Sequence, residues 1–133
     1  MTRHAQEPIP FGIDVDDDGS VLDYRRPSVW VASPDVAAAG GKIVTRIARV
    51  CRHPKARMHD GRTLDNVIAL HFEGDACKPL VMEAHVNWAR LALAFGDKVA
   101  RWVGERVVLF NEATAVHGTR CLGVRIRAAR DGE

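Results

Sequence analysis

The order of strand-like and helix-like segments limits the folds open to this chain more than any other feature of its sequence. Five short segments rich in Val and Ile predict β-strands, separated by turn residues such as Gly, Asp and Pro. Between the third and the fourth segment the apolar residues change to helical spacing, with Trp88, Leu91 and Phe95 on one face. The predicted elements are the strands 42–52, 64–72 and 78–82, the helix 84–95, and the strands 105–111 and 121–128.

This order predicts a mainly β fold, a five-stranded OB-like barrel with one helix between strands 3 and 4. In such a barrel the helix covers the bottom, so we expect Trp88, Leu91 and Phe95 to be almost fully buried. The same order of elements could also form another small α+β sheet. The expectation of a closed barrel therefore depends on the choice of the OB fold. A short helical turn is also predicted at 35–39, where a Ser-Pro pair begins it.

Charge and composition divide the chain into an acidic N-terminal arm, 1–27, and a barrel domain, 28–133. Residues 1–40 carry three basic and seven acidic side chains, whereas the rest carries sixteen basic and ten acidic ones. The arm is predicted to be either flexible or a short hairpin that turns at Asp18-Gly19. The net positive charge of the barrel domain favours binding to polyanions.

The remaining composition is that of an ordinary globular protein, with 47% hydrophobic and 27% charged residues. No apolar run reaches the length of a membrane span, and the first residues lack a signal-peptide pattern. We therefore expect a cytoplasmic protein with no membrane contact. The three cysteines stand at wide spacings, so free thiols are expected rather than disulfides. They are Cys51, Cys77 and Cys121.

No motif points to catalysis, since the chain has no phosphate-binding loop, nucleophile elbow or metalloprotease helix. The chain is therefore predicted not to be an enzyme and to need no cofactor. Cys51, His53 and His59 come closest to a metal site but lack the second ligand pair of a structural zinc centre. The acidic spacing before Gly19 is similar to the start of an EF-hand loop, yet Arg25 stands at the final ligand position. No metal is expected at either place.

The most specific of several short sequence elements is Trp102-Val103-Gly104-Glu105-Arg106-Val107, and the others are 41–45, 69–74, 78–82, 93–97 and 124–127. With these elements, residues 28–128 resemble a family of small uncharacterised phage and prophage proteins. The family is similar to OB-fold proteins, and its genes often lie among replication or recombination genes. Asparagines commonly begin the helix in that family, whereas this chain has Glu83 and Val86 there and keeps Asn87 nearby.

Basic residues cluster on the first strand, on the loop after it and on the last strand, and the first strand and first loop border the ligand groove of an OB barrel. They predict a sequence-tolerant interface for single-stranded nucleic acid, in which the cations contact phosphates. The predicted nucleic-acid-binding residues are Arg46, Arg49, Arg52, Lys55, Arg57, Arg62, Arg125 and Arg127. A charged face that merely contacts water fits the same pattern.

Aromatic residues make up only 6% of the chain, and most fall in the predicted core, so base stacking is expected to add little. DNA binding in phage-type replication or recombination is the function that the resemblance and the charges favour together. The alternative is a protein-binding OB module, a subunit or inhibitor of a host complex, with no nucleic-acid activity. The acidic arm would then dock on the partner or cover the basic groove.

Overall fold

The described residues form one five-stranded antiparallel sheet with three short helical segments, so the prediction of a mainly β fold is confirmed. The computed structural model describes residues 29–58, 61–74, 77–116 and 118–133. The predicted arm and His59 lie outside the described residues. The elements are α1 (Ser33–Ala38), β1 (Lys42–Arg57), β2 (Thr63–Phe72), β3 (Leu80–Val81), α2 (His85–Phe95), a 3₁₀-helix (Val99–Trp102), β4 (Arg106–Val116) and β5 (Thr119–Ala128).

Strand β1 is long enough to pair with two neighbours in succession. Its first residues pair with β4, from Lys42 opposite Phe110 to Arg46 opposite Arg106. From Ile47 onward it pairs with β2, and a β-bulge between Ile47 and Arg49 shifts the register near the start of that pairing. A bulge bends a strand and increases its twist, so β1 turns from one neighbour to the other at this point. The resulting sheet order is β3-β2-β1-β4-β5.

β1 runs five residues beyond the predicted end at Arg52. Pro54 suggested a loop there, because proline has no backbone N–H to donate to a ladder. The register shows how the strand tolerates it: Pro54 falls opposite Asn66, between the pairs His53–Val67 and Lys55–Asp65. Asn66 has a positive φ of 53°, so the ladder is irregular where the proline sits.

The predicted closure into a barrel is wrong. Among the described residues β3 pairs with β2 alone and β5 pairs with β4 alone, so both edges of the sheet stay open. The cause is the length of β3, which has two residues and offers few backbone groups for a second ladder.

Helix α2 follows β3 in the chain, but it lies beside β5 rather than under a closed barrel. Asn87 is 1% exposed, and its Nδ2 donates a hydrogen bond of 3.2 Å to the carbonyl of Val124. Its Oδ1 accepts a hydrogen bond of 3.1 Å from the N–H of Ile126. These are backbone groups that a further strand at this edge would bind, and the side-chain amide takes the place of that strand.

The main core lies where the helical segments meet the sheet. Trp102, Leu91 and Val36 enter it from the helical segments and are at most 1% exposed. Of the three residues expected to be almost fully buried, only Leu91 is, whereas Trp88 and Phe95 are half-buried and pack against the cluster. The expectation failed for these two because an open sheet covers a smaller part of the helix than a closed barrel does.

A second, smaller core ties the segment before α1 to the outer end of β1. Trp30 packs with Ala56, Ala69 and Val81. Its indole Nε1 donates a hydrogen bond of 3.0 Å to the carbonyl of Arg57. This contact anchors the outer end of β1, the strand that carries five of the eight predicted site residues.

Candidate nucleic-acid interface

The part of β1 beyond the bulge presents four cations to solvent, with Arg49 and Arg52 on opposite faces of the strand. Its exposed basic residues are named the basic ribbon here, and they are Arg49, Arg52, Lys55 and Arg57. Within the described residues none of the four forms an ion pair with a carboxylate, and the one acidic residue on the paired strand is Asp65, opposite Lys55. Because an unpaired surface cation keeps its full charge for a ligand, this segment is the strongest anion-attracting part of the predicted site.

Three other predicted cations already bind carboxylates. Arg127 donates two hydrogen bonds to Glu133, of 2.7 and 2.8 Å, and these lower the pKa of the Glu133 carboxyl well below its usual range. Arg46 donates to the carbonyl of Gly104 at 2.7 Å and lies 3.6 Å from Glu73. The last of the three, Arg62, pairs with Glu83 at 3.0 Å. Nearby carboxylates offset these charges, so phosphate binding gains less from them.

Arg125 is held against its own strand. Its guanidinium lies over Gly123, where an added Cβ would come within 2.6 Å of Nη1, and Nη1 donates to the carbonyl of Val124 at 3.2 Å. β5 reaches β1 only through β4, which pairs with 42–46. The structure therefore brings the basic ribbon together on one strand but separates it from Arg125 and Arg127.

A pair of histidines beside the basic ribbon was not predicted. The Nε2 atoms of His53 and His71 are 3.1 Å apart, and the ring centroids are 5.3 Å apart at an interplanar angle of 20°. Rings stacked face to face at that separation could not bring these atoms so close, so the rings meet edge to edge through one N–H···N hydrogen bond. Trp30 packs edge-on against His53, with the ring centroids 5.1 Å apart. Alternation along β1 is the feature that relates the two histidines. His53 and Arg49 share a face of β1, and Arg49 lies opposite His71 on β2.

The shared hydrogen bond limits the charge that the two rings can carry. One Nε2 must carry a proton and the other must accept it, so the bond is lost when both rings are protonated. Burial, together with the charges of His53 and Arg49, lowers the pKa of His71 from its usual value. His71 is therefore neutral near pH 7 in the absence of a ligand.

The described residues hold no candidate metal site, and their cysteines are free thiols. The described ranges contain no group of three or more His, Cys, Asp or Glu residues placed to hold a metal ion. All three cysteines are free: Cys51 is half-buried, Cys77 is buried and Cys121 is exposed. Burial and the nearby carboxylate of Asp35 raise the pKa of the Cys77 thiol to about 11.

We expect Cys77 to react with Ellman's reagent about a hundredfold more slowly than a cysteine of ordinary pKa, because the thiolate is the reacting form. The measurement uses the variant Cys51→Ser/Cys121→Ser, in which Cys77 is the only thiol, at about pH 8. The matched control is Cys51→Ser/Cys77→Ser, which keeps the exposed Cys121. In guanidinium chloride the two variants should react at the same rate. Equal rates in the folded proteins would contradict the prediction.

Comparisons with protein-family models, with curated proteins and with solved structures found no match to this chain. In the part of the chain that the structure describes, no helix has the length and apolar character needed to span a membrane.

Proposed function

We propose that the protein is a cytoplasmic, non-enzymatic protein that binds single-stranded nucleic acid along the basic ribbon, through phosphate contacts and with little sequence preference. The observation that carries this proposal is the set of four exposed cations without carboxylate partners among the described residues. Cations spaced along an extended strand can contact the phosphates of an extended single strand, although Arg49 and Arg52 lie on opposite faces of β1.

The arrangement of the strands supports a finer proposal, an OB-type fold that is open between β3 and β5. The first strand of the sheet is long, bent by a bulge and paired on both sides. OB folds are small, partly open five-stranded structures that bind oligonucleotides on a sheet face and the adjoining loops. A role in phage-type replication or recombination agrees with this fold and this ligand.

The placement of the aromatic residues supports sequence tolerance. No aromatic side chain within the described ranges is exposed enough to act as a free platform for a base. Trp30, Phe72 and Trp102 are buried, and Trp88, Phe95 and Phe110 are half-buried. Binding should therefore depend on charge and weaken steeply as salt is added.

The test is fluorescence anisotropy with a labelled oligothymidylate across a series of salt concentrations. The variant carries Arg49→Ala, Arg52→Ala, Lys55→Ala and Arg57→Ala. Each lost phosphate contact lowers the slope of log affinity against log salt by about 0.7, so four contacts would flatten it by about 3. Affinity at low salt should fall at least tenfold, and by the same factor for oligonucleotides of different sequence.

The matched control removes four exposed cations elsewhere, with Lys98→Ala, Arg101→Ala, Arg120→Ala and Arg130→Ala. It changes the net charge equally, so its salt slope should stay close to that of the unchanged protein. Equal losses in the two variants would show that binding follows net charge rather than the basic ribbon. If the unchanged protein does not bind at micromolar concentrations and low salt, the nucleic-acid proposal fails. The protein-binding alternative would then replace it.

A further inference from the structure

A shallow surface depression lies at the β1 bulge, where the basic ribbon begins. Its walls include Arg49 and Ala48 from β1, His71 at the end of β2, Gly74 in the following turn, and Lys78 before β3. Two permanent cations and one imidazole therefore surround a single opening. We propose that this depression is a subsite for one phosphodiester group of the bound strand, held by Arg49 and by the protonated ring of His71. The proposal rests on the proposed function and names the place where one phosphate of that strand binds.

The charges around the depression favour an anion, and Arg49 contributes most to them. Lys78 lines the opening, but its Nζ lies 3.0 Å from a carboxylate oxygen of Asp35, which offsets much of its charge. Cys77 also lines the depression, and its raised pKa, about 11, keeps the thiol neutral. Arg49 has no carboxylate partner among the described residues, so a phosphate would supply its counter-charge.

The bond to His53 determines which nitrogen of His71 can meet a ligand. The Nε2 atom of His71 is occupied by His53 at 3.1 Å, which leaves Nδ1 for a phosphate oxygen. When the pair takes up one proton, the His71 imidazolium donates from Nε2 to His53 and from Nδ1 to the phosphate. In that arrangement Nε2 of His53 is the acceptor of the shared hydrogen bond. The pair thus accommodates one added proton without losing its hydrogen bond, and a bound anion stabilises that proton.

This coupling fixes the direction of the pH effect. Without ligand, the groups facing His71 are the His53 ring and Arg49 from β1, and the Lys78–Asp35 ion pair and the neutral Cys77 thiol across the depression. A bound phosphodiester raises the pKa of His71, so binding takes up a proton. Affinity should then rise as the pH falls through the pKa that His71 has in the complex, by up to about tenfold per pH unit, and level off below the lowered pKa of the free protein.

The first experiment measures oligothymidylate affinity at about pH 7.5 and at about pH 5.5. His71→Gln keeps a donor for His53 but cannot take up a proton, so the quantity compared is the ratio of its affinities at the two pH values. The acid enhancement should be reduced at least fivefold in this variant. His85→Gln changes an exposed histidine at the start of α2 and should keep the full enhancement. An unchanged pH dependence in His71→Gln would overturn the subsite and leave the basic ribbon proposal intact.

The second experiment does not need the oligonucleotide. Dimethyl phosphate, a single phosphodiester whose charge does not change over this pH range, is added while the imidazole protons of His71 are followed by NMR. The pKa of His71 should rise in its presence, and Arg49→Gln should abolish the rise. A pKa that does not respond in the unchanged protein would overturn the subsite. A response without any oligonucleotide binding would support the subsite and reject the extended interface.

Discussion

Replacing Trp102 by alanine is expected to lower the free energy of unfolding by about 4 kcal/mol, the usual cost of truncating a fully buried tryptophan. The side chain is 1% exposed and belongs to the cluster that joins the helical segments to the sheet. Its ring centroid lies 5.8 Å from that of Trp88, and its Nε1 donates to the carbonyl of Gly96 at 2.9 Å. Alanine would leave a cavity that the 3₁₀-helix and α2 cannot both move to fill.

Urea denaturation followed by circular dichroism measures this loss, because the signal does not depend on the removed indole. Leu93→Ala is the control, since Leu93 is 91% exposed and its truncation should change stability by less than about 0.5 kcal/mol. Trp102→Phe keeps most of the packing and loses the hydrogen bond, so it should cost about 1 kcal/mol. A loss in Trp102→Ala no larger than that in Leu93→Ala would contradict the core described above.

Asn87→Ala is expected to lower the free energy of unfolding by about 3 kcal/mol, because it leaves two buried backbone groups of β5 without partners. The carbonyl of Val124 and the N–H of Ile126 both bind the Asn87 side chain. The helix surface around Asn87 packs against β5, so water cannot replace the amide without moving α2.

Asn87→Asp tests the two hydrogen bonds of the Asn87 side chain separately, because it removes the donor and keeps the acceptor. An ionised carboxylate can still accept from Ile126, but it faces the carbonyl of Val124 and can donate nothing to it. This variant should therefore lose at least as much stability as Asn87→Ala at neutral pH and regain part of it in acid, where a protonated carboxyl can donate. Chemical denaturation at two pH values measures the difference. A pH-independent loss would show that the amide does not bridge the edge of β5.

Local patterns in the sequence predicted most of the strands and helices of the fold. Alternating Val and Ile marked the strands, and helical spacing around Leu91 marked α2. Barrel closure could not be derived in this way, because it depends on whether β3 and β5 pair, and no local pattern encodes a pairing between distant strands. The extension of β1 past Pro54 was also missed, since its tolerance depends on Asn66 in the paired strand.

The candidate site could be predicted only in part. The presence of Arg49 and Arg52 on the first strand was predicted, but alternation places them on opposite faces of β1, so it could not predict that both are exposed. The binding of Arg127 by Glu133 could not be predicted either, because a carboxylate in an irregular segment can turn to many partners. The position of Asn87 shows the same limit: its place near the helix start does not indicate its partners, which lie 37 and 39 residues away in β5.

The bulge in β1 also divides the strand into two parts whose pairings span very different distances along the sequence. Pairing beyond it joins residues close in sequence, such as Arg57 with Thr63, so little chain entropy is lost when this hairpin closes. Pairing before it joins Lys42 to Phe110, which requires most of the intervening chain to be ordered first. Closing the β1–β2 hairpin therefore costs less chain entropy than pairing β1 with β4. The hydrogen bonds of this hairpin are not required to open when the slower, long-range half of the sheet assembles or breathes.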